Sequence, residues 1–140
     1  MKSIICLLLL TLYIALPSNC QALISVEHVT KERAEALGVS FKIHKNGEAG
    51  YAVTMDFELK GELQNISYVL LQIGEGEHRV MSAPIRVTQQ DEAKKSARFS
   101  AFPRYLSNSF LMIVVYNGPK GDVGYRLKVD DFVDLPQVNE

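Results

Sequence analysis

The chain has 140 residues, 47% apolar and 22% charged, and its 15 basic side chains nearly balance 16 acidic ones for a net charge of −1. That is one domain's worth of globular sequence, large enough to bury a core without staples. Lys94, Lys95, Arg98 and Arg104 are the only local excess of positive charge, so no stripe forms that would neutralise a run of phosphates, and nucleic acid is excluded as a partner.

The first residues carry one positive charge at Lys2, then an apolar run from Ile4 to Leu16, then Pro17 and a short polar tail. This is the three-part layout of a secretory signal peptide over 1–22. The apolar run is shorter than the roughly 17 to 25 residues of a membrane-spanning helix, so an uncleaved anchor is the lesser reading and the mature chain is expected to have no transmembrane span. Two cuts compete. Cys20 and Ala22 place small side chains three and one residues before a cut after Ala22, which frees a single domain over 23–140. A bacterial lipobox would instead make Cys20 the acylated first residue. Against it, Pro17 stands where an aliphatic residue is usual and Asn19 where Gly or Ala is usual. Both cysteines, Cys6 and Cys20, lie in this segment, so the domain has neither a disulfide nor a nucleophilic thiol.

In chain order, Thr30 as N-cap and Gly38 as stop bracket "KERAEAL", a helix of about two turns. "VSFKIHKN" then alternates, with Val39, Phe41 and Ile43 on one face and Ser40, Lys42 and His44 on the other. "YAVTMDFELK" alternates likewise, pointing Tyr51, Val53, Met55, Phe57 and Leu59 inward. Joining the two through "NGEAG" makes a hairpin in which Phe41 pairs with Val53 or Met55, because a one-residue slip would put one apolar set in water. Strands follow at "ISYVLLQI", "RVMSAPIRVT", "SARFSAF", "SFLMIVVYN" and "VGYRLKVDDF". Pro84 cannot donate to a ladder, which places its strand at an edge or on a bulge. "FLMIVVY", Phe110 to Tyr116, is apolar on both faces, as expected of a central strand; a homodimer interface is the alternative.

Short strands at about dozen-residue spacing, punctuated by Gly, Asn, Asp and Pro, predict an all-β fold: an antiparallel β-sandwich of seven or eight strands, immunoglobulin-like in general layout. The expected core is Val39, Phe41, Tyr51, Val53, Met55, Phe57, Leu59, Leu71, Phe110, Met112, Val114, Tyr125, Leu127 and Val129.

Chemistry is sparse. His28, His44 and His78 lack zinc-ligand spacing. Glu75, Glu77 and His78 share a loop whose glycines account for a turn, and Asp130, Asp131 and Asp134 lack the spacing of a calcium loop. No metal, cofactor or catalytic residue is therefore expected. Lys42 and His44 face Asp56 on the outside of the hairpin, as cross-strand partners or as a small polar site. Tyr105, just before a core strand, matches the place of a tyrosine corner. Asn65, in Asn65-Ile66-Ser67, is a glycosylation acceptor in a eukaryotic host. "NGEAGY", through Asn46, Gly50 and Tyr51, resembles the Asn-Pro-Thr-Thr-Gly-Tyr loop of the chagasin-type inhibitors of cysteine peptidases, exported immunoglobulin-like domains of similar size. The Pro and both Thr positions depart from it, and a chain without tryptophan has no Arg-Pro-Trp segment.

By elimination the sequence predicts a non-catalytic binding or assembly module with a protein or cell-envelope partner. It would be periplasmic or extracellular, with a lipid-anchored envelope protein or a chagasin-like inhibitor as alternatives. Intact mass of the mature protein from soluble and membrane fractions of its native host is expected to show a soluble species starting at Leu23. A heavier membrane-bound species starting at acylated Cys20 would establish the tethered form instead.

Overall fold

The computed structural model describes residues 24–48, 50–74, 78 and 81–134. Two packed sheets make a sandwich-like, mostly antiparallel fold with open edges. The strands are β1 (Ser25–His28), β2 (Val39–Asn46), β3 (Gly50–Glu58), β4 (Ile66–Ile73), β5 (Met81–Ile85), β6 (Val87–Gln89), β7 (Lys94–Ala101), β8 (Ser109–Val115) and β9 (Val123–Lys128), with helices α1 (Lys31–Leu37) and α2 (Pro103–Leu106) between them. One sheet has the order β1-β9-β8-β4-β5 and the other β2-β3-β7-β6. Among the described residues no helix is long and apolar enough to cross a membrane.

Local chemistry sets the entry into the second sheet. The Thr30 side chain accepts a hydrogen bond from the Arg33 backbone N–H at 3.3 Å, which caps α1. Gly38 ends the helix at φ 73°, a left-handed conformation that a side chain would strain. Between these ends Ala34 and Leu37 are buried, so the short helix is held by packing rather than by its length. The hairpin adopts the Phe41–Met55 register, one of the two that keep both apolar sets on the inside.

Between the sheets lies a cluster that includes Val53, Met55 and Phe57 from β3, Val69 and Leu71 from β4, and Leu111 and Ile113 from β8. Phe41, Tyr51 and Leu59 are only partly buried at its margin, and Phe41 stacks on Phe132 with ring centroids 4.7 Å apart. All seven residues of β8 are buried, as expected of a central strand. Its inward set is Leu111, Ile113 and Val115, however, so Phe110, Met112 and Val114 do not belong to the inter-sheet core where the sequence pattern placed them. On a strand apolar at every position, alternation carries no information about which parity faces in. On the outward face the Arg126 guanidinium lies 3.8 Å from the Phe110 ring centroid and donates to Gln72 Oε1 at 3.1 Å.

Two further departures have topological causes. β1, absent from the predicted strands, pairs in parallel with β9 from Ser25–Val123 to His28–Arg126, so nine strands are described rather than seven or eight, and the fold is not purely antiparallel. The segment around Pro84 forms two strands: β5 sits at the edge of the five-stranded sheet, and after Arg86 the chain crosses to pair β6 with β7 in the other sheet. An edge position leaves Pro84 without a ladder bond to donate on its free side.

Burial on both faces of β8 predicts that Val114→Asp unfolds the protein instead of merely altering self-association. An unpaired buried charge costs about 3–5 kcal/mol, a large part of a domain's total stability. Phe57→Ala, in the inter-sheet core at 1% exposure, is expected to cost a similar 3–5 kcal/mol. Urea unfolding of both variants checks this, and a folded Val114→Asp protein of wild-type stability would contradict the two-sided burial.

Candidate functional site

One end of the sandwich gathers the tip of the β2–β3 hairpin, the last residues of β4 and β7, and α2. There, Asn46, Glu48, Gly50, Ile73, Ser100, Ala101, Phe102 and Tyr105 line a mainly apolar cleft of about 500 Å³. The segment Phe102-Pro103-Arg104-Tyr105-Leu106 builds one wall. Pro103 occupies the first turn of α2, where its fixed φ suits the helix and no N–H is missed. Leu106, fully buried, plugs the turn into the core, and the Ser109 hydroxyl donates to the Tyr105 carbonyl at 2.6 Å to close it. With Leu106 committed inward, Phe102 and Tyr105 stay outside at 51% and 38% exposure. The Arg104 guanidinium lies 4.7 Å from the Tyr105 ring centroid and 6.0 Å from that of Phe102. This stacking keeps two aromatic faces and a cation together at the rim.

The opposite wall depends on a missing side chain. A Cβ on Gly50 would stand 2.9 Å from the Asn46 carbonyl oxygen, too close for any other residue without a shift. Gly50 thereby keeps the hairpin tight, and Asn46 Nδ2 reaches across β3 to donate to Ser100 Oγ on β7 at 2.9 Å. The cleft is bounded by strand ends and a plugged turn, a firmer frame than a free loop.

Residues singled out from sequence are scattered by comparison. Tyr105 is not a buried tyrosine corner: its ring is exposed beside Arg104, because Leu106 and not Tyr105 fills the core below. Asn65 is exposed in the turn before β4, and its carbonyl accepts from the Tyr116 N–H at 3.0 Å. Cys20 and Ala22, along with Glu75 and Glu77, lie outside the described residues. Asp130 pairs with Lys128 at 3.0 Å. Among the described residues no group of three His, Cys, Asp or Glu side chains is arranged to hold a metal ion. Lys42 and Asp56 do meet, at 2.8 Å, and His44 Nε2 lies 2.8 Å from Arg98 Nη2. Phe102 and Arg104 had no part in the predicted site. The available signal was that a five-residue segment with three large apolar side chains and a proline can bury only part of them.

The most perturbed titratable cluster lies elsewhere and is structural. Arg33 on α1 donates to Glu27 on β1 at 2.8 Å and to Glu62 at 2.6 Å, and the Tyr125 hydroxyl donates to the same Glu62 oxygen at 2.6 Å. Hydrogen bonds from Arg33 and then Tyr125 hold the Glu62 carboxyl below its ordinary range. Burial first, then the Glu62 carboxylate, pushes the Tyr125 phenol up to about 12.

No protein-family model, no curated protein and no solved structure matches the chain.

A raised folded-state pKa gives stability that is complete below the unfolded value, about 10 for tyrosine, and lost as pH rises through the folded one. Urea unfolding is therefore expected to show stability falling between about pH 10 and about 12. Tyr125→Phe should lose about 1 kcal/mol near neutral pH and flatten that decline. An unchanged alkaline slope in the variant would remove Tyr125 as its source.

Proposed function

We propose that the protein is a non-catalytic binding module, immunoglobulin-like in general layout, that receives an apolar side chain of a protein partner in the cleft between the β2–β3 hairpin and α2. The observation that carries this reading is the pairing of exposed Phe102 and Tyr105 around Arg104 beside a mainly apolar cleft. Aromatic and arginine side chains dominate the binding energy of protein interfaces, and rigid rings lose little entropy on being covered. The order β2-β3-β7-β6 facing β9-β8-β4-β5 supports the layout, since it follows the A-B-E-D and G-F-C-C′ arrangement of immunoglobulin-like sandwiches. Such sandwiches commonly bind through loops gathered at one end. The reading takes the chain as exported, either free after Ala22 or tethered at Cys20.

One observation favours chagasin-like inhibition of cysteine peptidases as a second reading: Asn46 and Gly50, two of the three residues that carry the resemblance, line this same cleft, while the third, Tyr51, does not. A papain assay separates the two. Inhibition at submicromolar concentration that is lost on changing the hairpin tip supports the inhibitor, and no inhibition at micromolar concentration removes it.

Peptide display against the purified protein tests the main reading. Sequences anchored by an apolar residue are expected to be enriched, and the corresponding synthetic peptides should bind Phe102→Ala or Tyr105→Ala at least about tenfold more weakly. Both substitutions fall on exposed rings, so the variants should keep the wild-type melting temperature. Enrichment that neither variant affects would overturn the assignment of the cleft.

A further inference from the structure

The outer face of the four-stranded sheet is a second, chemically different surface. Down its middle, β3 presents the short side chains Ala52, Thr54 and Asp56 and ends in Glu58 on the same face, while longer ones rise from β2 and β7 on either side. The result is a trough of about 440 Å³, within the range of about 300–1,000 Å³ typical of small-molecule sites.

Arg98 stands at one end, beside the His44 that lines the trough. Arg98 Nη2 donates to His44 Nε2 at 2.8 Å, a contact that passes from β7 to β2 over the central strand. Beneath it Ala52 is fully buried although it points away from the core. Along the floor Lys42 Nζ meets Asp56 Oδ2 at 2.8 Å, and Gln90 Nε2 donates to Ser96 Oγ at 2.6 Å. Cations outnumber their partners. Glu58, directly opposite Lys94 in the β3–β7 ladder, is engaged by Lys60 and feels the charge of Lys94 as well, and among the described residues no carboxylate closes to ion-pair distance on Arg98 or Lys94. These two side chains share one face of β7, four residues and so roughly 13 Å apart.

We propose that this trough binds an acidic glycan, a run of sugar rings bearing carboxylates, with Arg98 and Lys94 taking the carboxylates and the Lys42–Asp56 pair taking ring hydroxyls. A sugar hydroxyl donates and accepts at once, and an ammonium beside a carboxylate offers both partners to it. Arg98 is suited to a planar carboxylate by its fork of donors. Other classes fit less well. The trough has no exposed aromatic or aliphatic anchor for a peptide, and neither the stacking rings nor the unbroken positive charge that single-stranded nucleic acid requires, since Asp56 lies in its floor.

Calorimetric titration of the purified protein with galacturonate oligomers, neutral dextran oligomers of equal length and poly-L-glutamate tests this, at roughly physiological ionic strength so that loose charge attraction is screened. Galacturonate oligomers are expected to bind and dextran not to. Arg98→Gln and Lys94→Gln, both on an exposed sheet face, should each weaken binding about tenfold without lowering the melting temperature. Phe102→Ala should leave glycan binding unchanged, which keeps this site separable from the end cleft. Poly-L-glutamate binding as tightly as the galacturonate oligomers would replace the glycan with a merely acidic chain. No binding at millimolar oligomer, or binding indifferent to both variants, would overturn the proposal.

Discussion

Strand β8 is the constraint around which the sheets are arranged. It is apolar at six consecutive positions after Ser109, so every one of its faces and edges has to be dry. Pairing with β4 on one side and β9 on the other satisfies its backbone. Its two side-chain sets are covered in different ways. Leu111, Ile113 and Val115 meet the second sheet, and outside that interface Phe110 lies under the long side chain of Arg126. A guanidinium spread on a ring covers apolar surface while staying hydrogen-bonded, here to Gln72, which is how a cation is accommodated at 7% exposure.

With the centre of the five-stranded sheet, β8 and most of β9, buried on both faces, the four-stranded sheet needs only one. Its inner face completes the core through Val53, Met55 and Phe57, and its outer face is free of any packing duty. That freedom explains why charged and hydroxylic side chains collect there in cross-strand pairs. The end cleft is free in a similar way. Leu106 alone secures α2 to the core, so the rings on either side of Arg104 contribute little to folding.

Local pattern made some elements legible and left others hidden. Helix α1 and the β2–β3 hairpin could be read because each carries its own punctuation: Thr30 and Gly38 at the helix ends, and period-two alternation that tolerates no slip in the hairpin. The edge position of Pro84 followed from its missing N–H. What stayed hidden depends on partners far away in sequence. The parity of β8 is decided by which side the other sheet approaches, and the parallel pairing of β1 with β9 joins residues nearly a hundred positions apart. The sheet change after Arg86 leaves no mark in a segment that alternates evenly through it.

The same distinction separates the two surfaces as sites. Lys42, His44 and Asp56 could be placed on one face from alternation alone, but His44 acquires its meaning from Arg98, 54 residues later, and only the β3–β7 register brings them together across Ala52. In the cleft, Asn46 depends on Ser100 by the same separation. Both contacts bridge β2 to β7 over β3, one at the tip of the hairpin and the other just inside it. A sheet register is all-or-none, since a slip of one residue would reverse every side chain on β3. The ladder that secures the core therefore also positions the trough and one wall of the cleft, so substitutions within either surface can change its chemistry while the fold, held from the opposite face, stays as it is.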